Sequence, residues 1–222
     1  VKLRSSILII LLVILADQAL KIWIKTSFPL GSVKNVMGLS WFRLYFIENE
    51  GMAWGWKLGG EWGKMLLTLF RLAAVIFGSW YLARIVKQHY SRGFIICASL
   101  IYAGALGNLI DSMFYGLIFD ESTYAHAAKI FPPQGYGSFL HGKVVDMLYF
   151  PMVHSTFPSW IPGIGGNEFE FFSPIFNIAD ASISIGVLTL LFFQRRLVRK
   201  TDAPYHKTVT TNTPVSDQGQ IM

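Results

Sequence analysis

Apolar residues gather along this chain in four long blocks, at about 7–24, 64–82, 94–118 and 175–193. Each block approaches the roughly 20 residues that carry a helix across about 30 Å of hydrocarbon. The stretches between them have a different pattern. Leu39-Ser40-Trp41-Phe42-Arg43-Leu44-Tyr45-Phe46-Ile47 has the aromatic and β-branched content of a strand, and Glu48-Asn49-Glu50-Gly51 reads as the turn after it. The longer stretch at 119–174, with Pro132-Pro133, Gly135, Gly137 and Gly163-Ile164-Gly165-Gly166, reads as loop. The pattern predicts an all-α membrane protein: four transmembrane helices with a small outer-surface β-sheet and long outer loops.

Composition supports this reading. Hydrophobic residues make up 53% of the 222 and charged residues 14%, whereas soluble domains carry about a quarter charged. So apolar a chain is not disordered either. The net charge of +6 fits contact with anionic lipid better than with nucleic acid. Lys2 and Arg4 before the first block resemble the start of a signal peptide. The block itself carries Asp17, Gln18 and Lys21 beside bulky Leu20, Ile22 and Trp23 rather than a small-residue cleavage site, so it is expected to be retained.

Basic residues orient the spans. Lys2 and Arg4, then Arg84, Lys87 and Arg92, then Arg195, Arg196, Arg199 and Lys200 fall on one side if four helices cross, and basic flanks mark the cytoplasmic side. Both termini are then cytoplasmic, and 25–63 and 119–174 lie outside. Residues 1–200 are expected to form a single membrane-embedded domain, and 201–222, rich in Thr and Pro, a disordered cytoplasmic tail. Trp41, Tyr45, Trp54, Trp56 and Trp62 suit a segment lying at the lipid–water boundary.

Four aspartates sit in or beside these apolar blocks: Asp17, Asp111, Asp146 and Asp180. A charge at the membrane centre costs about 2.5–3.5 kcal/mol even on insertion scales, so such residues face a protein interior or a watery cavity. A rise of about 1.5 Å per residue sets Asp17 about 15 Å into its helix. Asp111, Asp146 and Asp180 fall near the outer boundary. Asn108 and Asp111 are three residues apart on one helical face, as are Asn177 and Asp180. Gly104 and Gly107, with Ala103 and Ala105, offer a small surface for close helix packing.

Structural explanations compete with functional ones at each position. Asp17 and Lys21, spaced i, i+4, suit a self-neutralising pair, and Asp111 suits a packing or hydrogen-bonding role. Asp146 and Asp180 compete with helix caps, although Asp180, six residues beyond Pro174, lies too deep for a simple cap if the helix starts near 175. Two carboxyls facing each other away from water cannot both ionise cheaply, so one keeps its proton while the other takes a proton from water. That is aspartic-protease chemistry, with no metal or cofactor. Cys97 has no histidine beside it, the five histidines are scattered without an H-E-x-x-H motif, and the glycine-rich stretches lack a P-loop lysine.

Five blocks, in order, carry a family resemblance: Asp17-Gln18-x-x-Lys21; Asn49-Glu50-Gly51-Met52-Ala53-Trp54-Gly55; Gly104-Ala105-Leu106-Gly107-Asn108-Leu109-Ile110-Asp111; Val144-Val145-Asp146; and Phe176-Asn177-Ile178-Ala179-Asp180. With them the chain resembles the lipoprotein signal peptidases (signal peptidase II), aspartyl peptidases of the bacterial cytoplasmic membrane. The resemblance implies that Asp146 and Asp180 are the catalytic dyad. It implies that Asp17, Lys21, Asn49, Gly51, Gly104, Asn108 and Asn177 support or line the site, and that 39–56 forms a small sheet resting on the membrane. The implied substrate is a diacylglyceryl-modified prolipoprotein, cut just before the lipidated cysteine by a chain expected to be monomeric and to contact membrane lipid. Two departures stand out. Ser112 occupies a position where the family usually has arginine, with Arg43 and Lys143 as candidate replacements. The segments 113–143 and 151–174 are long, and they form either a lid or a surface elaboration. Two other classes compete: a membrane carrier or proton-coupled transporter using buried Asp and Asn, and a structural assembly factor.

Overall fold

The computed structural model describes residues 3–49, 60–151, 153–171 and 174–200. Gly51, with the rest of its motif after Asn49, and the tail expected at 201–222 lie outside the described residues. Four helices form from the four apolar blocks: α1 (Leu3–Ser27), α2 (Gly60–Lys87), α3 (Arg92–Ile118) and α4 (Ile178–Leu197). All four are long and apolar enough to cross a membrane.

The helix ends follow local chemistry. Ser91 caps α3, its hydroxyl accepting from the Phe94 N–H at 3.3 Å, which satisfies one of the orphan donors of a first turn. Asn177 does the same for α4, accepting from the Asp180 N–H at 2.8 Å. The start of α4 corrects the expectation of a span from 175. Ile175–Phe176 is a strand, the helix begins at Ile178, and Asp180 therefore lies in its first turn rather than one turn deep.

The strands are β1 (Val33–Asn35), β2 (Arg43–Asn49), β3 (Val144–Tyr149), β4 (Val153–Thr156), β5 (Glu168–Phe171) and β6 (Ile175–Phe176). A four-stranded antiparallel sheet has the order β1-β2-β3-β6, and β4 and β5 form a separate hairpin. The strand expected at 39–47 begins only at Arg43 and runs on to Asn49, so Glu48 and Asn49 belong to the strand and not to a turn. Pairing with β3 decides this, because Glu48 stands opposite Val145 and Asn49 opposite Val144. Val144 to Tyr149, inside the stretch expected as loop, is an inner strand of the sheet.

The sheet closes one end of the bundle. Val145 and Met147 of β3 pack with Phe46, with Ile24 of α1, and with Tyr115 and Phe119 at the end of α3. A second core, around Ile10, Leu82, Ile85, Phe94 and Ile95, occupies the other end, where Arg84, Lys87, Arg92, Arg195 and Arg196 also lie. Lys25, fully buried, pairs with Glu48 and donates to Ser122 at 2.9 Å, tying α1 to β2 and to the segment after α3.

The long segment after α3 is stitched back onto the helix it leaves. Backbone N–H groups of Phe131, Tyr136, Gly137, Leu140 and Gly142 donate to carbonyls of Ile118, Phe119, Gly116, Met113 and Ser112. Gly142 permits this approach, since a Cβ there would meet the Asp111 carbonyl oxygen at 1.9 Å. The described part of 113–143 is thus a continuation of α3 followed by a fixed covering along it. The 151–174 segment holds the β4–β5 hairpin.

Helices α3 and α4 meet through small residues, as the sequence predicts. A Cβ on Gly104 would come 2.2 Å from the Ala179 carbonyl oxygen and 2.6 Å from the Ser182 hydroxyl oxygen. Gly104→Ala is therefore expected to lower stability in detergent by about 1–3 kcal/mol, the usual cost of overpacking. Gly78→Ala, whose Cβ meets a tyrosine ring edge at 3.0 Å, is expected to cost less. Thermal unfolding of both variants checks this, and equal melting temperatures would contradict the close helix contact.

Candidate active site

Three elements meet where the sheet rests on the bundle: α3, the start of α4, and β3. On β3, residues 144, 146 and 148 share one face of the strand, because side chains alternate. Asn49, opposite Val144, lies on that same face, diagonal to Asp146. Its amide donates to Asp146 Oδ2 at 3.4 Å. One extra residue of β2 between Leu44 and Ile47 shifts the register here. Such a bulge re-aims the side chains that follow it.

Asp146 is 3% exposed. Its Oδ1 accepts from the Asn177 amide at 2.7 Å. Burial, reinforced by the charge of Asp180, pushes its carboxyl up to about 7, while Lys21 and the two asparagine amides act in the opposite direction. Asp180 is half-buried, and its Oδ1 accepts from the Asn108 amide at 2.7 Å. The two carboxyls, 34 positions apart by number, thus share one electrostatic environment with different degrees of burial.

Behind them lies a buried charge cluster. Lys21 Nζ is 2.8 Å from Asp17 Oδ2 and 2.7 Å from Asp111 Oδ2, with all three side chains at most 1% exposed. It also donates to Asn108 Oδ1 at 2.9 Å. Asp17 reaches across to α4, where its Oδ1 accepts from the Ala179 N–H at 2.8 Å. That places a carboxylate at a helix N-terminus, where unsatisfied N–H groups and the helix dipole favour it. Gly107 makes the approach possible, because a Cβ there would lie 3.0 Å from Asp17 Oδ2. Gln18 donates to Asp111 Oδ1 at 2.8 Å and accepts from the Tyr115 hydroxyl at 3.1 Å. Asp111 Oδ2 further accepts from the Val145 N–H at 3.4 Å, linking the cluster to the strand that carries Asp146.

The structure brings together Asp17, Lys21, Asn49, Asn108, Asp146, Asn177 and Asp180 in one connected network. Gly104 lies at the α3–α4 contact beside Ala179 rather than in the network itself. The pairing of Asp17 with Lys21 and the hydrogen-bonding role of Asp111 are both present, but the pair is a triad that needs Asp111 as well. Neither residue considered as a replacement for the arginine at 112 stands there. Arg43 Nε donates to the Ser40 carbonyl, and Lys143 lies 3.5 Å from Glu48 and 3.8 Å from Glu121. Arg71 of α2 donates instead to the Ser112 hydroxyl at 2.8 Å. Sequence reasoning passed over Arg71, and it quoted Gln18 in the first motif without giving it a role. An arginine inside an apolar block was the available signal for the first.

Comparison with known proteins agrees with the fold. A lipoprotein signal peptidase of Porphyromonas gingivalis is 46% identical over 199 residues, covering 89% of this chain and 84% of that protein. One of Amoebophilus asiaticus is 32% identical over 206 residues, covering 92% and 83%. A bacterial membrane enzyme solved by the in meso method at 1.9 Å superposes with a TM-score of 0.57 at 26% identity, covering 87% of this chain and 94% of that one. The family model described as signal peptidase (SPase) II matches residues 9–195, and the chain belongs to the signal peptidase II family.

Proposed function

We propose that the chain removes signal peptides from diacylglyceryl-modified prolipoproteins, with Asp146 and Asp180 as its catalytic dyad. The observation that carries the assignment is the asymmetry of the two carboxyls. Asp146, buried and pushed up to about 7, holds a proton near neutral pH and donates it to the scissile carbonyl oxygen or the leaving amine. Asp180, half-buried at the open side of the network, takes a proton from the attacking water. Pairs of acids whose environments differ in this way divide into acid and base. No covalent intermediate is required. Both carboxyls and the asparagines that hold them come from one chain, which supports a working monomer built as a single domain over 1–200.

The basic residues at the end of the bundle remote from the sheet support an inner-membrane orientation with both termini cytoplasmic. The dyad then works near the outer face, with the sheet lying on the outer membrane surface. A lipid-anchored peptide presents its cleavage point at that depth, and its acyl chains lie among the exposed apolar side chains of the bundle, such as Leu12, Leu15, Phe70 and Phe77. Membership of a peptidase family and the gathering of the acids in one network where the sheet meets the bundle favour this reading over a carrier.

Asp146→Asn and Asp180→Asn are each expected to lower cleavage of a diacylglyceryl-modified precursor by about 10²–10⁴-fold while the purified protein stays folded. Either variant cutting at a rate comparable to wild type would remove the dyad. The pH dependence has a defined sign. Asp146 must be protonated to act as the acid, so kcat/KM should fall about tenfold per pH unit above a pH of about 7. A rate still rising through pH 9 would contradict its role. A precursor lacking the diacylglyceryl group is expected to be cut far more slowly, since each buried acyl CH₂ contributes about 0.8 kcal/mol. Equal rates on the two precursors would exclude lipid recognition.

A further inference from the structure

Arg71 is a charged residue well inside the apolar helix α2. The helix is otherwise apolar across this region, and an arginine inside a span belongs where it can face protein or water. Thr68, three residues earlier on the same face, is buried and donates to the Leu140 carbonyl at 3.1 Å. Val75, four residues later, is buried as well. Arg71 therefore lies on the inward face of α2, half-buried, and donates to the Ser112 hydroxyl at 2.8 Å. Ser112 in turn donates to the Asn108 carbonyl at 2.9 Å, and the Asn108 amide holds Asp180. Asp180, Asp111 and Asp146 are the carboxyls whose charge reaches the guanidinium. Asp111 and Asp17 share the Lys21 ammonium, whereas Asp180 and Asp146 have no ammonium in direct contact among the described ion pairs, and these are the charges Arg71 serves.

We propose that Arg71 is a positioning residue for the dyad: seated on Ser112, it delivers from α2 the positive charge that stabilises the single negative charge the dyad carries. This rests on the dyad reading given above. It also explains why a serine is sufficient at position 112. A short hydroxyl leaves room for the incoming guanidinium and accepts one of its N–H groups, so the charge sits beside the dyad although it comes from a different helix.

The charged groups around the dyad are Asp180 on α4, Asp146 on β3, Asp111 on α3, Asp17 and Lys21 on α1, and Arg71 on α2. Loss of the cation at 71 makes the ionised dyad less favourable, so the acidic limb of kcat/KM should move to higher pH. With precursor cleavage as the readout, Arg71→Gln is expected to lower kcat by 10- to 100-fold with a smaller change in KM. Its acidic limb should rise by about one pH unit. Arg71→Lys, which keeps the charge, should hold that limb within a few tenths of the wild-type value. The double variant R71Q/S112R returns a guanidinium from α3 into the space vacated, and it should recover at least a tenth of the wild-type kcat together with the original limb.

A wild-type kcat and pH profile in R71Q overturns the proposal. If R71Q yields no folded protein the double variant decides, and an inactive or unfolded double variant overturns it. Asp146→Asn, which leaves Arg71 in place, separates this from the dyad reading. Loss of cleavage there with wild-type behaviour in R71Q overturns only the role of Arg71, whereas cutting by Asp146→Asn overturns both.

Discussion

The ammonium of Lys21 is fully buried between two carboxylates, Asp17 and Asp111, and the geometry of the site depends on that contact. Removing three charges from water is expensive, and a buried pair is a poor source of net stability. Its value here is directional. Lys21 ties α1 to α3, while Asp17 takes the Ala179 N–H and so ties α1 to the first turn of α4. Asp111 takes the Val145 N–H and so fixes the strand next to Asp146. One cluster thus sets the positions of the three elements that carry Asn108, Asp146 and Asp180. Removing Lys21 would leave two carboxylates uncompensated in the interior, which costs more than the intact cluster contributes.

Two asparagines convert this fixed cluster into oriented hydrogen bonds toward Asp146 and Asp180, the proposed dyad. An amide side chain has a donor end and an acceptor end, and its environment decides which way it points. Lys21 is donor-only, so Asn108 must present its oxygen to the ammonium, and its NH₂ is left for Asp180. The Asp180 backbone N–H is likewise donor-only, so Asn177 must present its oxygen there, and its NH₂ is left for Asp146. The N-cap of α4 is therefore also a part of the site. A residue that would serve as a plain cap elsewhere here couples the start of the helix to the strand opposite it.

Much of this was legible in the sequence, and the misses have physical causes. Four apolar blocks mark the helices because lipid demands long uninterrupted runs. Asp17, Asp111, Asp146 and Asp180 stand out because such runs rarely carry acids. Asp17 and Lys21 can be paired from their i, i+4 spacing alone, but nothing local shows that Asp111, on another helix, completes the triad. The strand at Val144–Tyr149 escaped notice because its partner, Arg43–Asn49, lies about a hundred residues away. An inner strand also reads as a short apolar run without alternation. The start of α4 was misplaced because Ile175 and Phe176 are as apolar as the helix that follows. Only their pairing with Tyr149 and Leu148 makes them strand.

The placement of the two aspartates on different kinds of element bears directly on the acid and base roles proposed for them. Asp146 is carried by a strand whose other face is core, with Val145 and Met147 completely buried on either side of it. Such a position offers a carboxyl few dipoles beyond the two asparagine amides, and the neutral form is favoured. Asp180 is carried by the first turn of a helix, where aligned peptide dipoles favour negative charge, with the Arg71 guanidinium acting from the side. An exchange of the two environments would require strand and helix to trade places, which the Asp17 and Asp111 contacts forbid. The asymmetry that the proposed acid and base roles require of two identical side chains is therefore a consequence of topology, set by which secondary-structure element each residue belongs to.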